Sequence, residues 1–92
     1  MSKKWIQNGE NYELHFDYCG DNRLLGRLYR DPDEGEHGDW CFLPEIDGVH
    51  RGVIASGRVG LHDAKLEVEE RITTHFEVER DYYQAMLDEF IG

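Results

Sequence analysis

Cations are few in this chain: ten lysines and arginines stand against twenty carboxylates, a formal net charge of -10. That balance repels nucleic-acid backbones and anionic membranes, so direct contact with either is not expected, and a protein partner with a basic surface is. Serine is nearly missing, and neither Ser2 nor Ser56 lies in a nucleophile motif. The two cysteines, Cys19 and Cys41, lack a recognisable catalytic context. Residues 1–9 carry no apolar run of the kind a secretion signal needs, so both thiols are expected to be reduced, with a Cys19–Cys41 disulfide as the alternative. No stretch approaches the ~20 apolar residues of a membrane span, and the chain reads as cytoplasmic. With no catalytic motif in view, neither enzyme activity nor a cofactor is expected.

What is present suffices to fold. Hydrophobic residues make up 39% of the chain and include eleven aromatics, which argues against global disorder. A length of 92 residues allows one modest core, so residues 1–92 are read as a single domain without an interdomain cleft.

The apolar period changes from two to about 3.6 at Gly60, which predicts an α+β domain. The expected sheet is antiparallel, of about four strands within residues 4–59, covered by one or two C-terminal helices within 61–91. Trp5-Ile6-Gln7 reads as a short first strand, and Asn8-Gly9 as the centre of a type I′ turn. From Tyr12 to Cys19 the chain alternates, with Tyr12, Leu14, Phe16 and Tyr18 on one face and Glu13, His15, Asp17 and Cys19 on the other. Leu24 to Arg30 returns antiparallel, with Gly26 marking a bulge or a close approach. Asp31 to Asp39 reads as an exposed loop. Trp40 to Leu43 is a buried strand ended by Pro44, and Val49 to Val59 a strand interrupted at Gly52 and Gly57.

From Leu61 the apolar positions 61, 64, 68, 72, 75, 76, 82, 83, 86, 87 and 90 keep nearly helical phase. One helix over 61–91 would be about 46 Å long, which overshoots the ~13 Å radius of gyration of a compact domain near this size. Glu79 also falls in the middle of the apolar stripe. A break is therefore expected near Thr73-Thr74-His75-Phe76, giving helices 61–73 and 77–90.

Three constellations invite a chemical reading. His15, Asp17 and Cys19 are metal-ligand types on one strand face, but a zinc site needs a fourth ligand and supporting hydrogen bonds. The polar side of a strand is the better reading, no metal is assigned, and a metal-dependent enzyme using His15, Asp17 or His37 is a remote alternative. Asp31 and Asp33 are spaced as in a calcium loop, yet Gly35 takes the fifth position instead of the sixth and no glutamate takes the twelfth. Gly57-Arg58-Val59-Gly60 leads into a helix, where backbone amides bind phosphate, but it lacks the lysine of a phosphate loop and the third glycine of a dinucleotide fingerprint. Gly57 as a bulge and Gly60 as the entry to the helix explain the same residues.

Charge on the helical segment is the feature with functional content. Projected at ~100° per residue, Asp63, Glu67, Glu70, Glu77, Asp81 and Asp88 cluster opposite the apolar stripe, with Lys65, Arg71 and Arg80 towards its flanks. If Glu13, Asp17 and the loop acids join them, the field resembles that of a phosphate backbone. The expected partner-binding residues are those six acids. The plainer reading of the same face is a solvated surface that keeps the protein soluble. A different expectation comes from Tyr82, Tyr83, Met86, Leu87 and Phe90, more apolar surface than a core of this size needs, which points to self-association as a homodimer.

Trp40, the run Gly52-Val53-Ile54-Ala55-Ser56-Gly57, then Gly60-Leu61-His62-Asp63-Ala64-Lys65 and Val68-Glu69 resemble the ending of small phage and prophage proteins built as a hairpin plus a helix. That group includes anti-CRISPR proteins and other inhibitors of host defence. The resemblance covers about residues 40–70 and leaves out residues 77–92. It implies an inhibitor, anti-CRISPR-like or a nucleic-acid mimic, that docks on a basic nucleic-acid-binding surface of a host complex, and it transfers no catalytic residue.

Overall fold

The computed structural model describes residues 2–18, 20–31 and 38–92, except the side chains of Ser2 and Tyr18. Five strands, β1 (Ser2–Asn8), β2 (Asn11–Tyr18), β3 (Asp21–Arg30), β4 (Trp40–Pro44) and β5 (Gly52–Ala55), precede one helix, α1 (Leu61–Ile91). All neighbours are antiparallel and the spatial order is β1-β2-β3-β4-β5, so the molecule is an α+β meander of five strands where about four were expected.

Local chemistry sets the register. β1 and β2 pair from Ser2↔Asp17 to Asn8↔Asn11, which leaves Gly9-Glu10 as the two-residue turn, one position later than the expected Asn8-Gly9. Gly9 has φ 64° and takes the first central position, where glycine bears no Cβ penalty, while Asn8 stays in the ladder. Between β2 and β3, Leu14 faces Gly26 but His15 faces Leu24, so Leu25 is the extra residue of a bulge. Beside that bulge, any side chain at Gly26 would run into the Phe42 ring and lie 2.9 Å from the Leu43 carbonyl oxygen. The bulge and the close approach thus occupy adjacent residues. β3 starts at Asp21, three residues before the expected Leu24.

β4 ends at Pro44, opposite Gly26, and the Glu45 N–H donates to the Leu25 carbonyl at 2.9 Å. The strand expected over 49–59 shrinks to β5. A turn in which the Val59 N–H donates to the Ser56 carbonyl at 3.0 Å redirects the chain before it enters α1. Trp40 fixes that redirection: its indole Nε1 donates to the Val59 carbonyl at 2.8 Å, and its ring stacks under the Arg30 guanidinium at 4.1 Å. Arg30 also donates to the carbonyls of Gly38 and Gly57 at 3.1 and 3.2 Å, and Asp39 Oδ1 accepts from the Gly57 N–H at 3.0 Å.

The core lies between one sheet face and the first half of α1. Leu14, Leu28, Trp40, Phe42 and Ile54 are buried beneath Ala64, Val68 and Ile72, with Trp5, Tyr12 and Phe16 packed at the margin. Fully burying side chains such as Leu14, Leu28 and Phe42 contributes roughly 1.5–3 kcal/mol each. Lys3 reaches back to Glu69 at 2.8 Å, tying the first strand to the helix.

The helix does not break at 73–76: α1 runs unbroken from Leu61 to Ile91. Compactness was the wrong constraint, since the longest dimension is 55 Å and the radius of gyration 15.6 Å. No glycine or proline interrupts 61–91, and the β-branched Thr73-Thr74 pair costs only tenths of a kcal/mol. Thr73 donates its hydroxyl to the Glu69 carbonyl at 2.8 Å, which absorbs its competition for backbone groups within the helix.

Candidate protein-binding surface

A five-stranded sheet is about 20 Å across. A helix covers that width in about fourteen residues. α1 is buried or half-buried at Leu61, Ala64, Lys65, Glu67, Val68, Glu69, Ile72 and His75, and every residue from Phe76 to Ile91 is exposed. The overhang nevertheless carries Phe76, Val78, Tyr82, Tyr83, Met86, Leu87, Phe90 and Ile91, with Tyr82 64% and Phe90 86% exposed. At ~100° per residue, Phe76, Tyr83, Met86, Leu87 and Phe90 continue the line of Val68 and Ile72, so the apolar stripe outruns the sheet that should cover it. Tyr82 lies at the edge of this stripe, its ring meeting that of Tyr83 edge-on at 5.4 Å.

Sequence reasoning had named Tyr82, Tyr83, Met86, Leu87 and Phe90, but missed Phe76, Val78 and Ile91 as exposed. The readable signal was the length of the periodic segment set against the width of the sheet.

The six acids fall on one unbroken helix, so Asp63, Glu67, Glu70, Glu77, Asp81 and Asp88 form a single line about 38 Å long. The line is less one-signed than its sequence suggests. Arg71 Nε lies 3.4 Å from Glu67, Arg80 binds Asp81 at 3.2 Å, and Asp88 accepts from Gln84 at 2.9 Å. Asp63, Glu70 and Glu77 have no ion pair with any described residue. Lys65 is not at the flank of this face, because its ammonium sits 5.6 and 5.1 Å from the Trp5 and Tyr12 ring centroids, over the sheet. In the last turn Asp88 and Glu89 add to the negative pole of the helix dipole, and no base offsets them.

Glu13 and Asp17 do not join the acidic line, because they lie on the sheet face turned away from α1. There Glu13 accepts from Asn8, His15 and Arg27 at 3.4, 3.1 and 3.4 Å, and His15 Nδ1 meets Asn22 Oδ1 at 2.9 Å. Asn22 donates to Asp17 at 2.8 Å, and Arg27 also reaches Glu45 at 3.0 Å. The acceptor Oδ1 of Asn22 raises the His15 pKa most, followed by Glu13, while the His15 contact lowers the Glu13 pKa most, followed by Asn8. The candidate metal ligands His15 and Asp17 thus serve a cross-strand hydrogen-bond chain. Among the described residues no three histidines, cysteines or acids gather to hold a metal ion. Cys19, His37 and most of the acidic loop, with its calcium-like spacing, lie outside the described residues. Cys41 is buried, its Sγ 3.8 Å from the Asp39 carbonyl.

An open groove of about 380 Å³ lies where α1 leaves the sheet, between Val49 and His50 on one side and Glu67, Glu70, His75 and Val78 on the other. The His75 ring rests over Gly48, and its Nε2 is 3.3 Å from Glu79 Oε1, an ion-pair distance without hydrogen-bond alignment. Gly57 to Gly60 is occupied by the turn and its contacts to Asp39 and Trp40, and Gly60 stands as the N-cap residue of α1.

No family model matches the chain, and neither a curated protein nor a solved structure matches it. Among the described residues no helix is long and apolar enough to cross a membrane.

Proposed function

We propose that this chain is a non-enzymatic protein-binding module that docks on a basic surface of a partner through the overhanging half of α1. In this reading it acts in the cytoplasm as an inhibitor of a host complex, at a surface that otherwise holds nucleic acid. The observation that carries the proposal is the overhang itself, in which every residue from Phe76 to Ile91 is exposed although eight are large and apolar. Its four aromatics alone expose roughly 500 Å², as much as the largest apolar patch of an ordinary monomer. The net charge of -10, and Asp63, Glu70 and Glu77 without an ion pair among the described residues, favour a cationic partner over a neutral one. The resemblance of residues 40–70 to small phage and prophage proteins built as a hairpin plus a helix, a group that includes inhibitors of host defence, suggests the choice of target.

The test is affinity capture by the tagged chain, followed by identification of what co-purifies. Recovery of a basic nucleic-acid-binding protein, lost on Tyr83→Ser with Phe90→Ser and weakened on Glu77→Lys with Asp81→Lys, is the expected result. Recovery that ignores both pairs of substitutions sinks the proposal. The second reading, self-association through Tyr82, Tyr83, Met86 and Phe90, draws on the same exposed stripe. A dimer in sedimentation equilibrium that Tyr83→Ser abolishes would put it first.

A further inference from the structure

The overhang says more about what covers it than the sign of its charge. Phe76, Tyr83 and Phe90 recur every seven residues with Met86 and Leu87 between them, a spacing that seats against another helix. Within that stripe stands one carboxylate, Glu79, flanked on one side by His75 at 3.3 Å. Arg80, the only base of the overhang, is turned to Asp81 at 3.2 Å and not to Glu79.

Three occupants of such a stripe can be compared by charge. A second copy side by side in parallel would set Glu79 against Glu79. An antiparallel copy centred on Tyr83 would set Glu79 against Leu87, burying a carboxylate on an apolar side chain. In either arrangement five acids and one base on each overhang face five acids and one base on the other. An anionic lipid surface meets the same repulsion. A cationic helix meets none of it, and relieves the uncompensated Asp88 and Glu89 at the negative end of α1 as well.

We infer that the overhang of α1 is the half of a helix pair whose other half is a basic amphipathic helix of a partner, with a lysine or arginine of that helix opposite Glu79. The inference rests on the protein-binding reading above and adds the partner's form and register. The apolar stripe supplies contact area; the Glu79 pairing selects one register among those the stripe alone would allow.

The experiment uses the full chain and synthetic helical peptides of about sixteen residues, the length of the overhang. One peptide has a leucine stripe with lysine flanks and a central arginine; a second has glutamate flanks; a third keeps the lysines but has leucine at the centre. Binding is read by fluorescence anisotropy, alongside sedimentation of the chain alone and co-flotation with phosphatidylserine vesicles. The lysine-flanked peptide should bind at least about tenfold more tightly than the glutamate-flanked one. Tyr83→Ser with Phe90→Ser should weaken it by roughly tenfold or more, whereas Glu10→Gln with Asp21→Asn, exposed acids of the sheet hairpins, should change it less than about twofold. Glu79→Leu should invert the preference between central arginine and central leucine, a coupling that diffuse attraction does not produce.

Equal binding of the lysine and glutamate peptides, a stable dimer of the chain alone, or vesicle binding would each overturn the inference. Absence of the Glu79 coupling while Tyr83→Ser with Phe90→Ser still abolishes binding to a basic protein overturns the register and leaves the protein-binding reading standing. Insensitivity to the stripe substitutions in both assays removes the two together.

Discussion

His75 and Glu79, one helical turn apart with Nε2 and Oε1 separated by 3.3 Å, mark the place where α1 changes role. Up to His75 the helix is part of the core. From Phe76 onward it is surface on all sides, and the two halves answer to different physics. A chain ending after Val78 should therefore keep a cooperative urea transition, with stability within about 1 kcal/mol of the full chain, because it loses no buried side chain. Circular dichroism should lose the signal of the missing turns. A broad or absent transition would show that the overhang supports the sheet.

Gly26 is predicted to reject even a methyl group. Gly26→Ala should destabilise the fold by about 1–3 kcal/mol, since the new Cβ meets the Phe42 ring in a closely packed core. Phe42→Leu costs stability by itself but should lessen the penalty of Gly26→Ala, and a double-mutant cycle on urea midpoints measures that coupling.

Trp40 acts by its N–H as well as by its bulk. Trp40→Phe keeps an aromatic ring under Arg30 but leaves the Val59 carbonyl without its 2.8 Å donor just before α1 begins. The expected loss is about 1–3 kcal/mol from the unpaired carbonyl, with a further cost for the smaller ring. Hydrogen exchange of the first turn of α1 should quicken in the variant.

The outer sheet face predicts a pH signature. His15 has its pKa raised above 6.5, so its contribution is complete below that pH and is lost as the pH rises through the folded-state value. Glu13 has its pKa lowered below 4.5, so its contribution is present above that pH and is lost as the pH falls through the folded-state value. The two coexist in full between pH 4.5 and 6.5. The stability difference between the wild-type chain and His15→Gln should be largest in that window and shrink toward alkaline pH. A flat difference across the range would contradict the imidazolium donating to both Asn22 and Glu13.

The last turn of α1 should be improvable. Glu89→Lys places a cation at the negative end of the dipole and should steady that turn by about 0.3–1 kcal/mol, seen as slower amide exchange over residues 86–91.

The sheet was legible where side chains alternate without interruption: Tyr12, Leu14 and Phe16 do face the core, and Gly60 does mark the change of period. The turn at Gly9-Glu10 and the shortening of β5 were not legible, because turn position depends on which neighbour pairs across the ladder and not on the dipeptide alone. Continuity of α1 was misread for a different reason. The 3.6-residue pattern was present throughout, but an assumption that small domains are compact overrode it. The acidic line was legible as a projection, whereas its partial pairing to Arg71 and Arg80, and the withdrawal of Lys65 over Trp5 and Tyr12, depend on rotamers and on the sheet beneath.

The order of the strands in space repeats their order in the chain, and this bears on how fast the molecule forms. Each hairpin can zip from its own turn while the rest of the chain is still searching, so most of the entropy of closure is lost in small local steps. The most distant parts of the chain are joined by the seating of α1 on the sheet, where Ala64, Val68 and Ile72 share one core with Leu14 and Leu28 and Lys3 pairs with Glu69. That docking is expected to set the refolding rate.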